Sequence, residues 1–146
     1  MIMEARDFDR LTRRVIGAAM TVHRTPGPGL LESAYQHCLA IELQEQRIEF
    51  QPQVPLPLSY RGHALDCSYR LDFVVERCLV LEIKAVEALA PIHQAQLLSY
   101  LRMGGYKVGL LINFHESLLK NGLRRVVNDF PDLVSSANSA LSASRR

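Results

Sequence analysis

The 146-residue chain is short of the features that would sort it quickly into a functional class. Its charges nearly cancel, with 17 Lys and Arg against 15 Asp and Glu, for a formal net charge of +2. No polybasic run stands out, so composition does not announce a nucleic-acid binder, although net charge hides how charge is distributed. No apolar run approaches the length that spans a bilayer, and the first ten residues, MIMEARDFDR, mix charges without the apolar stretch of a secretory leader. Cysteine is sparse: Cys38, Cys67 and Cys78 are odd in number and not closely paired. They suit reduced thiols in a cytoplasmic protein better than a disulfide framework or a zinc site. Internal repeats, a Gly-rich phosphate loop, a Ser/His/Asp order and a Cys/His nucleophile pair are all missing, which removes the commonest covalent chemistries.

What is present is 48% hydrophobic residues, enough for one domain with a real core, expected over residues 1–130. The Ser- and Ala-rich end, residues 131–146, reads as a flexible tail. Leu11, Val15, Ala18, Ala19 and Val22 recur at helical spacing between Phe8 and His23. The segment TPGPG ends that helix, and a second is expected from Leu30 to Arg47. The prolines of FQPQVPLPLSY restrict that stretch to an extended edge strand, and the glycine of YRGHAL marks a hairpin turn. Strands follow at Tyr69–Val75 and Leu79–Val86, then a helix from Pro91 to Met103 closed by Gly104 and Gly105. A strand at Tyr106–Phe114, a short helix near Glu116–Lys120 and a strand at Leu123–Val127 complete an α/β (α+β) domain with helices packed on a mixed sheet.

Within this frame LVLEIKAV, Leu79 to Val86, carries Glu82 and Lys84 inside an apolar strand. Side chains alternate along a strand, so Leu79, Leu81 and Ile83 share one face and Val80, Glu82 and Lys84 the other. In the preceding strand Leu71, Phe73 and Val75 are expected on one face, with Arg70, Asp72 and Val74 opposite. If Glu76, Arg77 and Cys78 form the connecting loop, Val75 opposes Leu79, Val74 opposes Val80 and Phe73 opposes Leu81. Asp72 then lands opposite Glu82, and a one-residue slip would break both the apolar and the polar pattern. Two carboxylates about 5 Å apart repel by about 3 kcal/mol at an effective dielectric near 20. A divalent cation with a taste for hard oxygen ligands, Mg²⁺ or Mn²⁺, would offset that repulsion. With Lys84 on the same face, cation, carboxylates and lysine make a minimal kit for phosphodiester hydrolysis. The competing reading is a solvated sheet face on which Lys84 neutralises both acids.

The ordered set of Glu32, Asp72, Glu82-x-Lys84, Gln96, Tyr100 and the GLLINF strand resembles the PD-(D/E)XK nuclease superfamily. GLLESAY, Gly29 to Tyr35, spells G-x-x-E-x-x-Y and is similar to the GxxExxY protein family within it. Leu71 stands where the superfamily's eponymous proline would precede the aspartate. The resemblance implies a restriction-endonuclease-like αβββαβ core after one extra N-terminal helix. It implies a metal held by Asp72, Glu82, the Ile83 carbonyl and, directly or through water, Glu32. Lys84 would be the catalytic lysine, and Gln96 and Tyr100 would line the cleft. DNA is implied ahead of RNA.

Each of these residues has a plainer reading too. Glu32 in a first helical turn favours the helix dipole by about 0.3–1 kcal/mol. Tyr35 reads more readily as packed core than as a reacting group. Gln96 and Tyr100, one turn apart, could simply hydrogen-bond. His23 and His93 read as surface residues. Arg70, Arg102, Lys107, Arg124 and Arg125 form either a phosphate-binding rim or solvated charge. Three functional readings therefore stand at this point. They are a metal-dependent nuclease, a catalytically weak or inactive nuclease-fold module that binds nucleic acid or a protein, and a phosphoesterase for small esters. An edge strand would also allow a homodimer.

Overall fold

The computed structural model describes residues 3–66 and 69–128. The tail at 131–146, the domain limit at 130 and Cys67 lie outside the described residues. Helix α1 spans Ala5–Arg24 and α2 spans Glu32–Glu45. Strand β1 covers Phe50–Leu56, a small hairpin pairs β2 (Ser59–Tyr60) with β3 (His63–Ala64), and β4 and β5 cover Tyr69–Val75 and Leu79–Lys84. Helix α3 (Pro91–Gly104) crosses over to β6 (Val108–Asn113), and β7 (Leu123–Val127) follows a 3₁₀ turn at Leu119–Gly122.

The main sheet runs β1-β4-β5-β6-β7. Only β5 and β6 are parallel; the other neighbours are antiparallel. The α3 connection explains the difference, because parallel neighbours need a crossover whereas a tight turn can join antiparallel ones. As expected from its prolines, β1 is an edge: Pro52 and Pro55 lie opposite Phe73 and Arg70 of β4. Gly105, at φ +76°, ends α3 in the left-handed conformation that glycine adopts without steric cost.

Two apolar layers sandwich the sheet. On one side Val15, Ala18 and Ala19 of α1 and Leu39 and Leu43 of α2 pack on Phe73, Val75, Leu79, Leu81, Ile83 and Ile112. On the other, Leu97, Tyr100 and Leu101 of α3 pack on Val74, Val80 and Leu111. Full burial of each Val, Leu, Ile or Phe side chain among these is worth about 1.5–3 kcal/mol. β5 and β6 are covered on both faces and therefore read as near-continuous apolar runs.

Three expectations need correction. The short helix near Glu116–Lys120 is a single 3₁₀ turn three residues later, too brief a segment to repay the nucleation of an α-helix. α2 begins at Glu32 rather than Leu30, because the loop before it is held in an extended conformation up to Leu31. Leu71 does not share the face of Phe73 and Val75; it packs with Val74 and Val80 on the α3 side. Alternation fails at Asp72, which has no ladder partner on either side, and Gln53 of β1, at the matching place, has φ +52°. No helix among the described residues is long and apolar enough to cross a membrane.

Candidate active site

The β4–β5 ladder follows the register read from the apolar pattern: Val75 with Leu79, Val74 with Val80, Phe73 with Leu81. It then stops, and the next pair is joined by side chains. The Asp72 N–H donates to Glu82 Oε2 at 3.0 Å, and the Ile83 N–H donates to Asp72 Oδ2 at 2.7 Å. The two carboxylates are brought together as expected, but they bridge parted strands rather than crown a continuous ladder. Each spends one oxygen on a backbone N–H, which fixes both side chains where a flexible acid would otherwise swing to water.

These acids are short of positive charge. Glu82 is only 7% exposed. Burial, and then the Asp72 carboxylate, push its carboxyl up to about 8, against the bond from the Asp72 N–H and the charge of Lys84; Glu32 adds to the rise. Burial likewise raises Asp72 to about 6 despite the Ile83 bond, with Glu32 adding and Lys84 opposing. Lys84 is half-buried and close enough to act on both, yet none of the ion pairs among the described residues includes it. The reading in which Lys84 neutralises the acids as a solvated ion pair therefore finds no support in the geometry. Tyr100 of α3 is buried beside them, and burial followed by the Glu82 charge raises its phenol. Its ring centroid lies 5.8 Å from that of Tyr69 at the start of β4.

Glu32 is the first residue of α2 and is exposed. The G-x-x-E-x-x-Y segment that carries it is held by Tyr35, whose hydroxyl donates to the Gly27 carbonyl at 2.5 Å and accepts from the Leu30 N–H at 3.1 Å. Gly29 adopts φ +113°, which disfavours any side chain there. The Tyr35 ring stacks on Phe114 at 4.6 Å, and His115 Nε2 lies 3.1 Å from the Leu30 carbonyl. The tyrosine is thus packed core, and its work is to fasten the loop and the start of α2 to the end of β6. Glu32 then reaches Asp72 and Glu82 through space, and Gln36 Nε2 donates to its Oε2 at 3.4 Å.

Asn113 was missed by sequence reasoning. It is fully buried beside Lys84 in the parallel register. Its Oδ1 accepts from the Val86 N–H at 3.0 Å, and its Nδ2 donates to the Val86 carbonyl at 2.9 Å. A single polar residue closing an apolar strand was the available signal. Asn113→Ala strips both partners from the Val86 backbone, and an expected loss of about 1–3 kcal/mol is read by urea denaturation. An unchanged midpoint would show that water replaces the amide.

The remaining predicted residues scatter. Gln96 is exposed one turn before Tyr100, and Arg70 is exposed two residues before Asp72. Arg102, in the last turn of α3, is exposed as well. Lys107 precedes β6, whose other end holds Asn113 and faces Lys84. Five strand steps, about 16 Å, separate those ends, so Lys107 does not join this site. Arg125 pairs with Asp9 of α1, and Arg124 bonds the Asn121 and Leu123 carbonyls. His23 is half-buried against the Glu116 carbonyl, and His93 Nδ1 accepts the Ala90 N–H ahead of α3, so neither is a free surface histidine.

Two hard-oxygen carboxylates with an unmet need for positive charge suit a small divalent cation. No three His, Cys, Asp or Glu side chains among the described residues lie close enough together to enclose an ion. Mg²⁺ in general keeps several waters and takes one or two carboxylates from its protein. Among known proteins, the family model of the PD-(D/E)XK nuclease superfamily matches residues 9–126. No curated protein and no solved structure matches.

Proposed function

The chain belongs to the PD-(D/E)XK nuclease superfamily, and we propose that it is a Mg²⁺- or Mn²⁺-dependent nuclease that hydrolyses phosphodiester bonds, with DNA as the expected substrate. The observation that carries this reading is the pair of bridged carboxylates, buried Glu82 and half-buried Asp72, neither in an ion pair with another described residue. Asp72, Glu82 and the Ile83 carbonyl would hold the ion, and Glu32 would hold one of its waters or a second ion. A bound divalent cation acidifies water and offsets charge on the phosphorus oxygens. Lys84 orients the attacking water or steadies the phosphoryl oxygens as a P–O bond breaks. Gln96 and Tyr100 line the cleft, and Arg70 and Arg102 contact phosphates. Within the superfamily, the G-x-x-E-x-x-Y segment supports placement in the GxxExxY group.

The test is a cleavage screen of single-stranded, duplex and branched DNA and RNA with Mg²⁺, Mn²⁺ or EDTA, beside Asp72→Asn. Cutting that needs the metal and is lost in the variant supports the nuclease. Metal-independent binding without cutting on any substrate would replace it with an inactive nuclease-fold module. Turnover of a chromogenic phosphodiester without polymer cleavage would point to small esters.

A further inference from the structure

The β2–β3 hairpin is poorly explained by the fold. It forms its own two-stranded sheet, and all four of its paired residues are exposed. A lone hairpin of this size is marginal in water, so packing alone gives no reason to keep it. Its tip runs Tyr60, Arg61, Gly62, His63. Tyr60 presents its ring to solvent at 65% exposure. Arg61 sits at φ +51° beside Gly62 at φ +84°, a turn that favours Asn or Gly in its first place. A strained, exposed arginine next to an exposed aromatic is the kind of outlier that points from structure to function.

The hairpin also stands in a telling place. Its base is closed by the Leu65 N–H donating to the Leu58 carbonyl at 2.9 Å, directly after β1. Leu56, the last residue of β1, pairs with Tyr69, whose ring neighbours Tyr100, which in turn feels the Glu82 and Asp72 charges. Tyr69 and Tyr100 thus lie together at the end of the sheet from which the hairpin springs, with the exposed Tyr60 at the hairpin tip beyond them. Arg61, next to Tyr60, and Arg70, next to Tyr69, are both exposed. Aromatics interleaved with cations are the chemistry that grips unpaired nucleotides: bases stack on the rings and phosphates meet the guanidinium groups. A base inside a duplex offers no free face for such stacking.

We propose that the hairpin is a substrate arm that binds an unpaired nucleic-acid strand through Tyr60 and Arg61 and feeds it towards Asp72 and Glu82. This rests on the nuclease reading for its direction but not for the binding itself.

The test is fluorescence anisotropy of labelled 20-nucleotide single strands and blunt duplexes, in EDTA so that cleavage does not intervene. Tyr60→Ala is expected to weaken single-strand binding about 5- to 100-fold, Tyr60→Phe to leave it within about twofold, and Arg61→Ala to lower both affinity and salt dependence. The loss on duplex is expected to be smaller. Equal losses on the two substrates, no loss in Tyr60→Ala, or no strand binding by the wild type would each overturn the arm. Tyr60-dependent binding in a protein that cuts nothing would keep the arm and remove the nuclease; metal-dependent cutting indifferent to Tyr60 would do the reverse.

Discussion

Lys84→Met is expected to lower the cleavage rate on the best substrate by about 10²–10⁴ while leaving divalent-cation binding in place. The lysine ends β5, and its backbone is pinned on both sides. The Phe114 N–H donates to the Lys84 carbonyl at 2.9 Å, and Asn113 clamps Val86 two residues on. Its ammonium is close enough to lower both carboxyls but pairs with neither. A lysine held near two acids yet unspent on them is available to a third group, which in this site is water or phosphate. Methionine keeps the length and the apolar stem and removes only the charge. Single-turnover rates at saturating Mn²⁺, beside metal affinity from calorimetry, separate the two contributions. A rate within threefold of wild type would assign Lys84 a structural part; a loss of metal affinity matching the loss of rate would make its role indirect.

How much of this was legible in the sequence follows from what each feature depends on. The Asp72–Glu82 juxtaposition was readable because alternation and a short hairpin loop leave one register that buries Val74, Val80, Phe73 and Leu81 together. Glu76 and Arg77, both at positive φ, make the turn of the Glu76–Cys78 loop that fixes this register, although neither residue type announces such a turn. What escaped was set by tertiary context. The break in β4 at Asp72 reverses the side on which Leu71 packs, and it arises from carboxylates replacing ladder bonds, which no periodicity encodes. Asn113 matters through a loop from the neighbouring strand. Lys107 reads from the sequence as part of a phosphate-binding rim, but the α3 crossover returns the chain to the end of β6 opposite Asn113 and Lys84. The G-x-x-E-x-x-Y pattern was visible as letters, whereas the physical reason for its tyrosine, a clamp on Gly27 and Leu30, needed the fold.

The same carboxylates make stability depend on pH and on metal, and Glu82→Gln isolates that dependence. The Glu82 carboxyl is raised from 4.5 to about 8 by burial and by Asp72. The folded chain therefore holds this proton more tightly than the unfolded one. The contribution is fully present below about pH 4.5 and is lost as the pH rises through about 8. Each pH unit in that window is worth about 1.4 kcal/mol at most. Metal-free wild type is thus expected to fall behind Glu82→Gln by about 2–4 kcal/mol at pH 9 and to match it near pH 5, read by chemical denaturation in EDTA. The glutamine still offers an oxygen to the Asp72 N–H but has no charge to bury. Mn²⁺ should reverse the order, because a cation that binds the ionised pair stabilises the wild type in proportion to its occupancy, and more at pH 8 than at pH 5. Glu82→Gln should gain little from the ion at either pH. If the two proteins kept a constant stability difference across the range, the Glu82 carboxylate would be solvated rather than buried. A wild type indifferent to Mn²⁺ at pH 8 would mean that the charge deficit at Asp72 and Glu82 is not met by a divalent cation, and the nuclease reading would lose its main support.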